Sequence, residues 1–180
     1  MINLNILLLN KINGLLGKNR FLDAVGRAGA EFVIFAMSGW LIVSMYLSAK
    51  NLSEFLNLLG IFVVAALSGW VINWILAFII HEPRPFMNGQ VHSSFHPLFP
   101  KLFTWKSFPS DHTMFAFVIF FMALVLHLPL AWPLLFLAIW VAWGRIFSGV
   151  HYPSDAAGGI AVALFVAAVA NYLVNVLQIV

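Results

Sequence analysis

The chain has 180 residues, of which 63% are hydrophobic and only 8% are charged. A soluble domain carries about a quarter charged residues, so this composition excludes an ordinary water-soluble domain and indicates a protein embedded in lipid. The formal charge of +3 could suggest nucleic acid, but the basic residues form no run, so we expect anionic lipid headgroups instead. The absence of cysteine excludes disulfides, thiolate catalysis and cysteine-based metal sites.

Residues 1–28 predict an interfacial helix and a connection rather than a signal peptide. No charged segment precedes the first apolar residues, and no small-residue cleavage site follows them. Apolar side chains recur there at helical spacing, at Ile2, Ile6, Leu9, Ile12 and Leu16. We therefore expect an amphipathic helix that lies in the membrane interface.

Five later stretches are apolar and long enough, or nearly long enough, to span a bilayer. They cover residues 29–49, 55–80, 113–128, 130–147 and 156–180. The predicted fold is thus an all-α integral membrane protein, a single domain of residues 1–180 with five transmembrane helices. We expect it to cross the cell membrane several times. Small-residue pairs such as Gly158-Gly159 would let neighbouring helices approach closely.

The connection over residues 81–112 differs from the others in its length and composition. It contains four of the six histidines and many aromatic side chains. Long loops in compact domains are usually functional or disordered, and this aromatic content argues against disorder. We predict a loop that lies against the membrane and covers or feeds a functional site.

Three polar clusters lie at the ends of predicted spans. They are residues 81–85, residues 109–112, and Arg145 followed by His151 and Asp155. Antiparallel threading of the spans puts all three clusters on one face of the membrane. Ionisable groups at membrane depth are costly and usually functional, so we predict one shared site.

The residue types in these clusters suit phosphoryl transfer without a metal or a cofactor. Arg84 and Arg145 can hold phosphate oxygens with a rigid fork of donors. Ser110 and Asp111 belong to the start of a helix, where free backbone N–H groups bind anions. We assign both to the phosphate site, although Asp111 would itself repel a phosphate and better suits a capping role.

His151 can act as a nucleophile, and Asp155 can fix its tautomer. His112 can protonate a leaving oxygen and later activate water. Each cluster alone has a simpler interpretation, namely a snorkelling arginine, a helix cap or an interfacial hydrogen bond. Their order and common face favour a catalytic site. His92 and His96 have no partner carboxylate beside them, so we predict no metal site.

At these residues the sequence resembles the type 2 phosphatidic acid phosphatase superfamily of membrane phosphatases. That family's signature is K-x6-R-P, then P-S-G-H, then S-R-x5-H-x3-D. Matches are found at Arg84-Pro85, at residues 109–112 and at Arg145-x5-His151-x3-Asp155. The resemblance implies a nucleophile, an acid/base and an orienting carboxylate at His151, His112 and Asp155. It also implies phosphate binders at Arg84, Ser110 and Arg145.

The sequence departs from this signature at three positions. Ala77 stands in place of the family's lysine, Gly144 in place of its second serine, and Asp111 in place of its glycine. Without that lysine, one phosphate-binding cation is either missing or supplied from elsewhere. The candidates to supply it are Lys101, Lys106 and His81.

Residues 82–86 and 108–113 together look like the bacitracin-resistance branch of the family, the undecaprenyl-diphosphate phosphatases. This implies a lipid diphosphate substrate and a site on the extracytoplasmic face, whereas the basic residues near the N-terminus favour the opposite face. Glu82 belongs to the same motif without an assigned role. Two alternatives remain. One is a phosphatase of phosphatidate, phosphatidylglycerophosphate or a lipid A phosphate, and the other is a non-enzymatic permease or lipid-binding subunit. The sequence does not indicate the oligomeric state.

Overall fold

The computed structural model describes residues 4–89, 91 and 104–177, and these form helices and their connections without a strand. The α-helices are α1 (Leu4–Asn13), α2 (Arg20–Arg27), α3 (Val33–Ser48), α4 (Leu52–Ile80), α5 (Asp111–Val125), α6 (Ala131–Phe147) and α7 (Pro153–Leu177). A π-helical turn, Ala28–Phe32, joins α2 to α3, and a short 3-10 helix, Pro85–Asn88, follows α4. The predicted all-α class is confirmed.

Within the described part of the chain, three helical stretches are long and apolar enough to cross a membrane, namely Arg20–Ser48, Leu52–Met87 and Pro153–Leu177. The helices α5 and α6 are also apolar but have only 15 and 17 residues. At a rise of about 1.5 Å per residue, α5 reaches about 22 Å, which is less than the hydrocarbon core of about 30 Å. The chain is a multi-pass membrane protein, and the count of five spans stays a prediction.

The short helix α5 lies at the centre of the bundle. It packs against α3, α4, α6 and α7, and most of its side chains, including the run Ala116–Phe120, are buried. Large apolar side chains on the outer helices, such as Phe35, Phe136 and Phe165, are exposed as lipid-facing residues would be. Because helices rather than lipid surround α5, its length need not match the thickness of the bilayer.

The closest approach of α5 to α7 depends on Gly159. A Cβ atom at Gly159 would lie 2.7 Å from the carbonyl oxygen of Ser110 and 3.0 Å from the backbone nitrogen of Met114. The close approach predicted at the Gly158-Gly159 pair is therefore confirmed. It brings the first turns of both helices together, and the Ser110 N–H donates to the Asp155 carbonyl over 3.0 Å.

The first long helix begins nine residues before the predicted span. Asn19 caps α2, and its side-chain oxygen accepts from the Phe21 N–H over 2.8 Å. The helix then continues through the π turn into α3 without a break. Residues 20–28, which the sequence indicated as a connection, thus extend the first span. The charged residues Arg20, Asp23 and Arg27 lower the hydropathy of this segment, so the sequence did not reveal that the helix begins there.

The N-terminal helix α1 packs against α6 and α7, and Leu9 on this face is fully buried. The Asn5 side chain donates to Ser154 Oγ over 2.8 Å and accepts from the Ser154 N–H over 3.0 Å. The Asn13 side chain donates to the Phe147 carbonyl over 2.9 Å. The asparagines that interrupt the apolar pattern therefore anchor α1 to the protein. Its predicted amphipathic position in the membrane interface stays a prediction.

Candidate active site

The loop between α6 and α7 positions a buried histidine beside a buried carboxylate. Gly149 has a φ of +67°, a left-handed conformation that turns the chain after α6. Pro153 then begins α7, a position that suits its fixed φ. His151 Nδ1 lies 3.3 Å from Asp155 Oδ2, and the two residues are 2% and 0% exposed. The pairing predicted from the x3 spacing is present in the structure.

The carboxylate of Asp155 is held by several donors. Its Oδ2 atom accepts from Ser107 Oγ over 2.6 Å and from the Tyr152 N–H over 2.7 Å. The Ser154 hydroxyl lies 3.4 Å from Oδ1. A carboxylate held beside Nδ1 of His151 favours the tautomer with its proton on Nδ1, which leaves Nε2 with a free lone pair.

The charge state of His151 suits a nucleophile. Burial, reinforced by the positive charges of Arg84 and Arg145, lowers the pKa of His151 well below its usual value. The imidazole is therefore neutral at neutral pH, and a neutral imidazole has the lone pair that an attack on phosphorus requires.

Two arginines bring positive charge to the two histidines. Arg84 is anchored by the returning loop, where its Nε donates to the Lys106 carbonyl over 3.1 Å and its backbone N–H to the Thr104 carbonyl over 3.0 Å. The negative charges of Asp111 and Asp155 act on the Arg84 guanidinium, which stays charged.

Arg145 is 5% exposed, and its Nη1 donates to the Ala30 carbonyl in the π turn over 3.0 Å. Its buried Nε has no hydrogen-bond partner among the residues that the structure describes. A buried charged donor without an acceptor is costly. The oxygen of a bound anion would supply that acceptor.

Ser110 and His112 occupy the start of α5. Ser110 is fully buried and is the N-cap, and its Oγ accepts from the Thr113 N–H over 3.5 Å and from Thr113 Oγ1 over 3.1 Å. The positive charges of Arg145 and Arg84 act on the His112 ring, as does the neighbouring His151. His112 is therefore close to the same anion-binding region as His151.

Asp111 does not have the capping role that the sequence suggested, because Ser110 takes it. Asp111 instead forms an ion pair with Lys106 and accepts a 3.0 Å hydrogen bond from Asn73 Nδ2 on α4. Asn73 is fully buried, and Lys106 Nζ lies 4.8 Å from the centre of the Trp74 ring. This four-residue group, Asn73, Trp74, Lys106 and Asp111, is called the lysine cluster below.

The remaining candidates differ in position. His81 is exposed, adopts a left-handed conformation at the end of α4, and stacks on Trp105 at 5.3 Å between ring centres. The Glu82 carbonyl accepts from the Ser107 N–H over 2.8 Å. Lys101, His92 and His96 lie outside the described residues.

Sequence reasoning missed Ser107 and Asn73. Asn73 had one available signal, since it is a lone amide within the apolar run of α4, where a polar side chain needs a partner. No signal in the sequence marked Ser107, because its contact with Asp155 joins residues that are 48 positions apart in the chain.

A cleft of about 480 Å³ opens beside His112 and Asp111. Its other walls are side chains of α3, α4 and α5, mostly apolar, among them Phe35, Phe62 and Phe115. An anion at the two histidines could thus have a hydrophobic chain attached to it. The arrangement can bind a phosphorylated amphiphile and transfer its phosphoryl group.

Comparison with known proteins gives four findings. A family model described as the PAP2 superfamily matches residues 57–178. The chain is 30% identical over 163 residues to undecaprenyl-diphosphatase BcrC of Bacillus subtilis, covering 91% of this chain and 80% of that protein. It is 39% identical over 97 residues, about half of each chain, to a Bacillus licheniformis protein named bacitracin transport permease protein BcrC. The crystal structure of Aquifex aeolicus LpxE superposes with a TM-score of 0.70 at 23% identity, covering 94% of this chain and 95% of that one.

Proposed function

Since the chain belongs to the PAP2 superfamily of membrane phosphatases, we propose that it hydrolyses undecaprenyl diphosphate to undecaprenyl phosphate and inorganic phosphate. The family predicted from the sequence motifs is confirmed. The substrate is a proposal supported by the B. subtilis relative, whose name states that activity. The observation that carries the proposal is the buried His151–Asp155 pair facing Arg84 and Arg145.

In the first step, the terminal phosphate of the substrate binds between the two arginines. Nε2 of His151 forms a bond to the terminal phosphorus, and the bond from that phosphorus to the bridging oxygen breaks. The bridging oxygen keeps the electron pair and takes a proton from His112. The products are a lipid monophosphate and a phosphohistidine, while Asp155 stabilises the positive charge on the imidazole.

In the second step, water replaces the departed lipid. His112 removes a proton from the water, the resulting oxygen bonds to phosphorus, and the nitrogen–phosphorus bond breaks with its electron pair returning to Nε2. Inorganic phosphate leaves, His151 is again neutral, and His112 has regained its proton. Atoms and charge balance over the two steps, with one water consumed.

The proposed reaction needs no metal ion, because side-chain cations supply the positive field that stabilises the transferring phosphoryl group. Among the described residues, no three histidine or carboxylate side chains are grouped so that they could hold a metal. We predict that activity survives an excess of EDTA. Loss of activity on chelation, with recovery on adding one divalent ion, would contradict this mechanism.

The test of the proposed function is phosphate release from a panel of purified lipids. We expect the purified protein to release phosphate from undecaprenyl diphosphate with a higher kcat/KM than from phosphatidate, phosphatidylglycerophosphate or a lipid A phosphate. The His151→Gln variant is the matched control, because it keeps a neutral polar side chain of similar size. A preference for another lipid would overturn the substrate, and release from none of them would favour a permease or a lipid-binding role.

A further inference from the structure

The lysine cluster holds a buried cation, the Lys106 ammonium, that the two-histidine mechanism does not use. Only 3% of the Lys106 side chain is exposed, and its ammonium is held by the Asp111 carboxylate and by the face of the Trp74 ring. Asp111 is fixed in turn by Asn73, which is fully buried within α4. Burying a lysine is costly even when it is paired. The several contacts around this one ammonium therefore indicate a specific function.

The position of the lysine cluster relates it to His112. Asp111 immediately precedes His112 in the first turn of α5, and both residues line the apolar cleft. Arg145 and Arg84 act on both histidine rings, and the positive charge of Lys106 also acts on the His112 ring. Because its ammonium pairs with Asp111, which lines the cleft beside His112, Lys106 lies on the acid/base side of the site.

In the proposed reaction, this side is occupied by the leaving group. His112 protonates the oxygen that stays with the lipid, so the phosphate that is not transferred lies between His112 and the cleft. We infer that Lys106, positioned by Asp111 and Asn73, binds this second phosphate and makes the site selective for lipid diphosphates over lipid monophosphates. The inference rests on the proposed function, because it takes the direction of the leaving group from that mechanism.

In the lysine cluster, Lys106 neutralises Asp111, whose carboxylate alone would repel a phosphate. An ammonium has three N–H donors, and one of them is directed at Asp111, which leaves the ammonium able to donate to phosphate oxygens as well. The ion pair lowers the cost of keeping Lys106 buried while the site is empty. A lipid monophosphate has only an ester oxygen where the second phosphate would lie, so it gains nothing from this cation.

The experiment compares farnesyl diphosphate with farnesyl monophosphate, which share one hydrophobic chain, in the same detergent micelles. Loss of one charge-assisted contact corresponds to roughly 10- to 150-fold. Lys106→Gln should therefore lower kcat/KM for the diphosphate by about 30- to 100-fold and that for the monophosphate by less than about threefold. Lys106→Arg should restore part of the preference. Lys50→Gln, the same change at an exposed lysine between α3 and α4, should leave both values unchanged.

Lys106→Gln leaves the Asp111 carboxylate without its cation, and this unpaired charge could destabilise the fold. A second variant therefore serves as a control for misfolding. Lys106→Gln/Asp111→Asn removes both charges and should show the same loss of preference.

An equal loss for both substrates would overturn the inference, because Lys106 would then act on the transferred phosphoryl group. Unchanged kinetics for both substrates would also overturn it. If the wild-type protein releases phosphate from neither lipid, the proposed function fails, whereas an active wild type with an unaltered ratio refutes only the role of Lys106.

Discussion

At the scale of single residues, the chemistry depends on keeping one imidazole neutral and aligned. Asp155 provides alignment at 3.3 Å from Nδ1, and Ser107 holds that carboxylate at 2.6 Å. The His151 and Asp155 side chains are both buried, so little water reaches either of them. A histidine in these surroundings can donate an electron pair. The positive charges of Arg84 and Arg145 offset the negative charge of the phosphate that it attacks.

The first prediction is that phosphate is transferred to His151. Rapid quenching of the reaction with labelled substrate should trap an acid-labile, base-stable phosphoenzyme, as expected for a phosphohistidine. His151→Gln should lose both the label and several orders of magnitude of activity, because a covalent nucleophile has no substitute. His127→Gln, at an exposed histidine, is the control. Label on any residue other than His151 would disprove the assignment.

The second prediction concerns acid stability. The pKa of His151 is lowered in the folded protein, so on acidification the unfolded chain takes up this proton first, near pH 6.5. Stability present above that pH is lost progressively below it. The loss of stability between pH 7.5 and pH 5.5, measured by unfolding in mixed micelles, should be smaller in His151→Asn than in the wild type. The exposed-residue variant His127→Asn should behave as the wild type does, and an equal acid loss in both variants would contradict the prediction.

At the scale of secondary-structure elements, the contact between the π turn and α6 positions Arg145. Trp140 Nε1 donates to the Val25 carbonyl over 2.9 Å, and Arg145 Nη1 donates to the Ala30 carbonyl over 3.0 Å. Such π turns occur frequently at functional sites. The carbonyl that accepts from this arginine therefore lies at the start of the predicted first span, residues 29–49.

The third prediction concerns Gly144, where the resembled family has serine. A Cβ atom there would lie 2.5 Å from the Ala30 nitrogen and 2.7 Å from the Gly29 carbonyl carbon. Gly144→Ser should push the π turn away, destabilise the fold by about 1–3 kcal/mol through overpacking, and lower kcat/KM by displacing Arg145. Thermal unfolding and kinetics check both effects. Gly39→Ala, whose added Cβ meets no atom within 4 Å, should change neither, and a neutral Gly144→Ser would refute the close contact.

The same elements explain what the sequence could and could not predict. Motif order predicted that His112, His151 and Asp155 lie together, because antiparallel helices return each motif to one end of the bundle, and the structure places them there. Hydropathy missed the start of α2, since charged residues near a helix end resemble a polar connection. It also missed the backbone contact at Gly144, because a glycine gives no indication of its distant neighbour.

At the scale of the whole molecule, the N-terminal helix and the site share one end of the bundle. Asn5 contacts Ser154 at the start of α7, and Asn13 contacts Phe147 at the end of α6. The basic residues near the N-terminus, Lys11, Lys18, Arg20 and Arg27, lie toward this end of the bundle. Arg84, Lys106 and Arg145 lie at the site itself, whereas Lys50 lies between α3 and α4 at the other end. The positive-inside rule would accordingly put the site in the cytoplasm.

The fourth prediction is that the site nevertheless faces the extracytoplasmic side. The positive-inside rule applies to short loops, whereas α1 is docked on α6 and α7 through buried contacts. The resemblance to the undecaprenyl-diphosphate phosphatases, which implies an extracytoplasmic site, also favours the outer face. Because the chain has no cysteine, Met87→Cys, at a 55% exposed position beside the site, should react with an impermeant maleimide in intact cells. Lys50→Cys should react only after lysis. The reverse pattern would put the site in the cytoplasm and contradict this prediction.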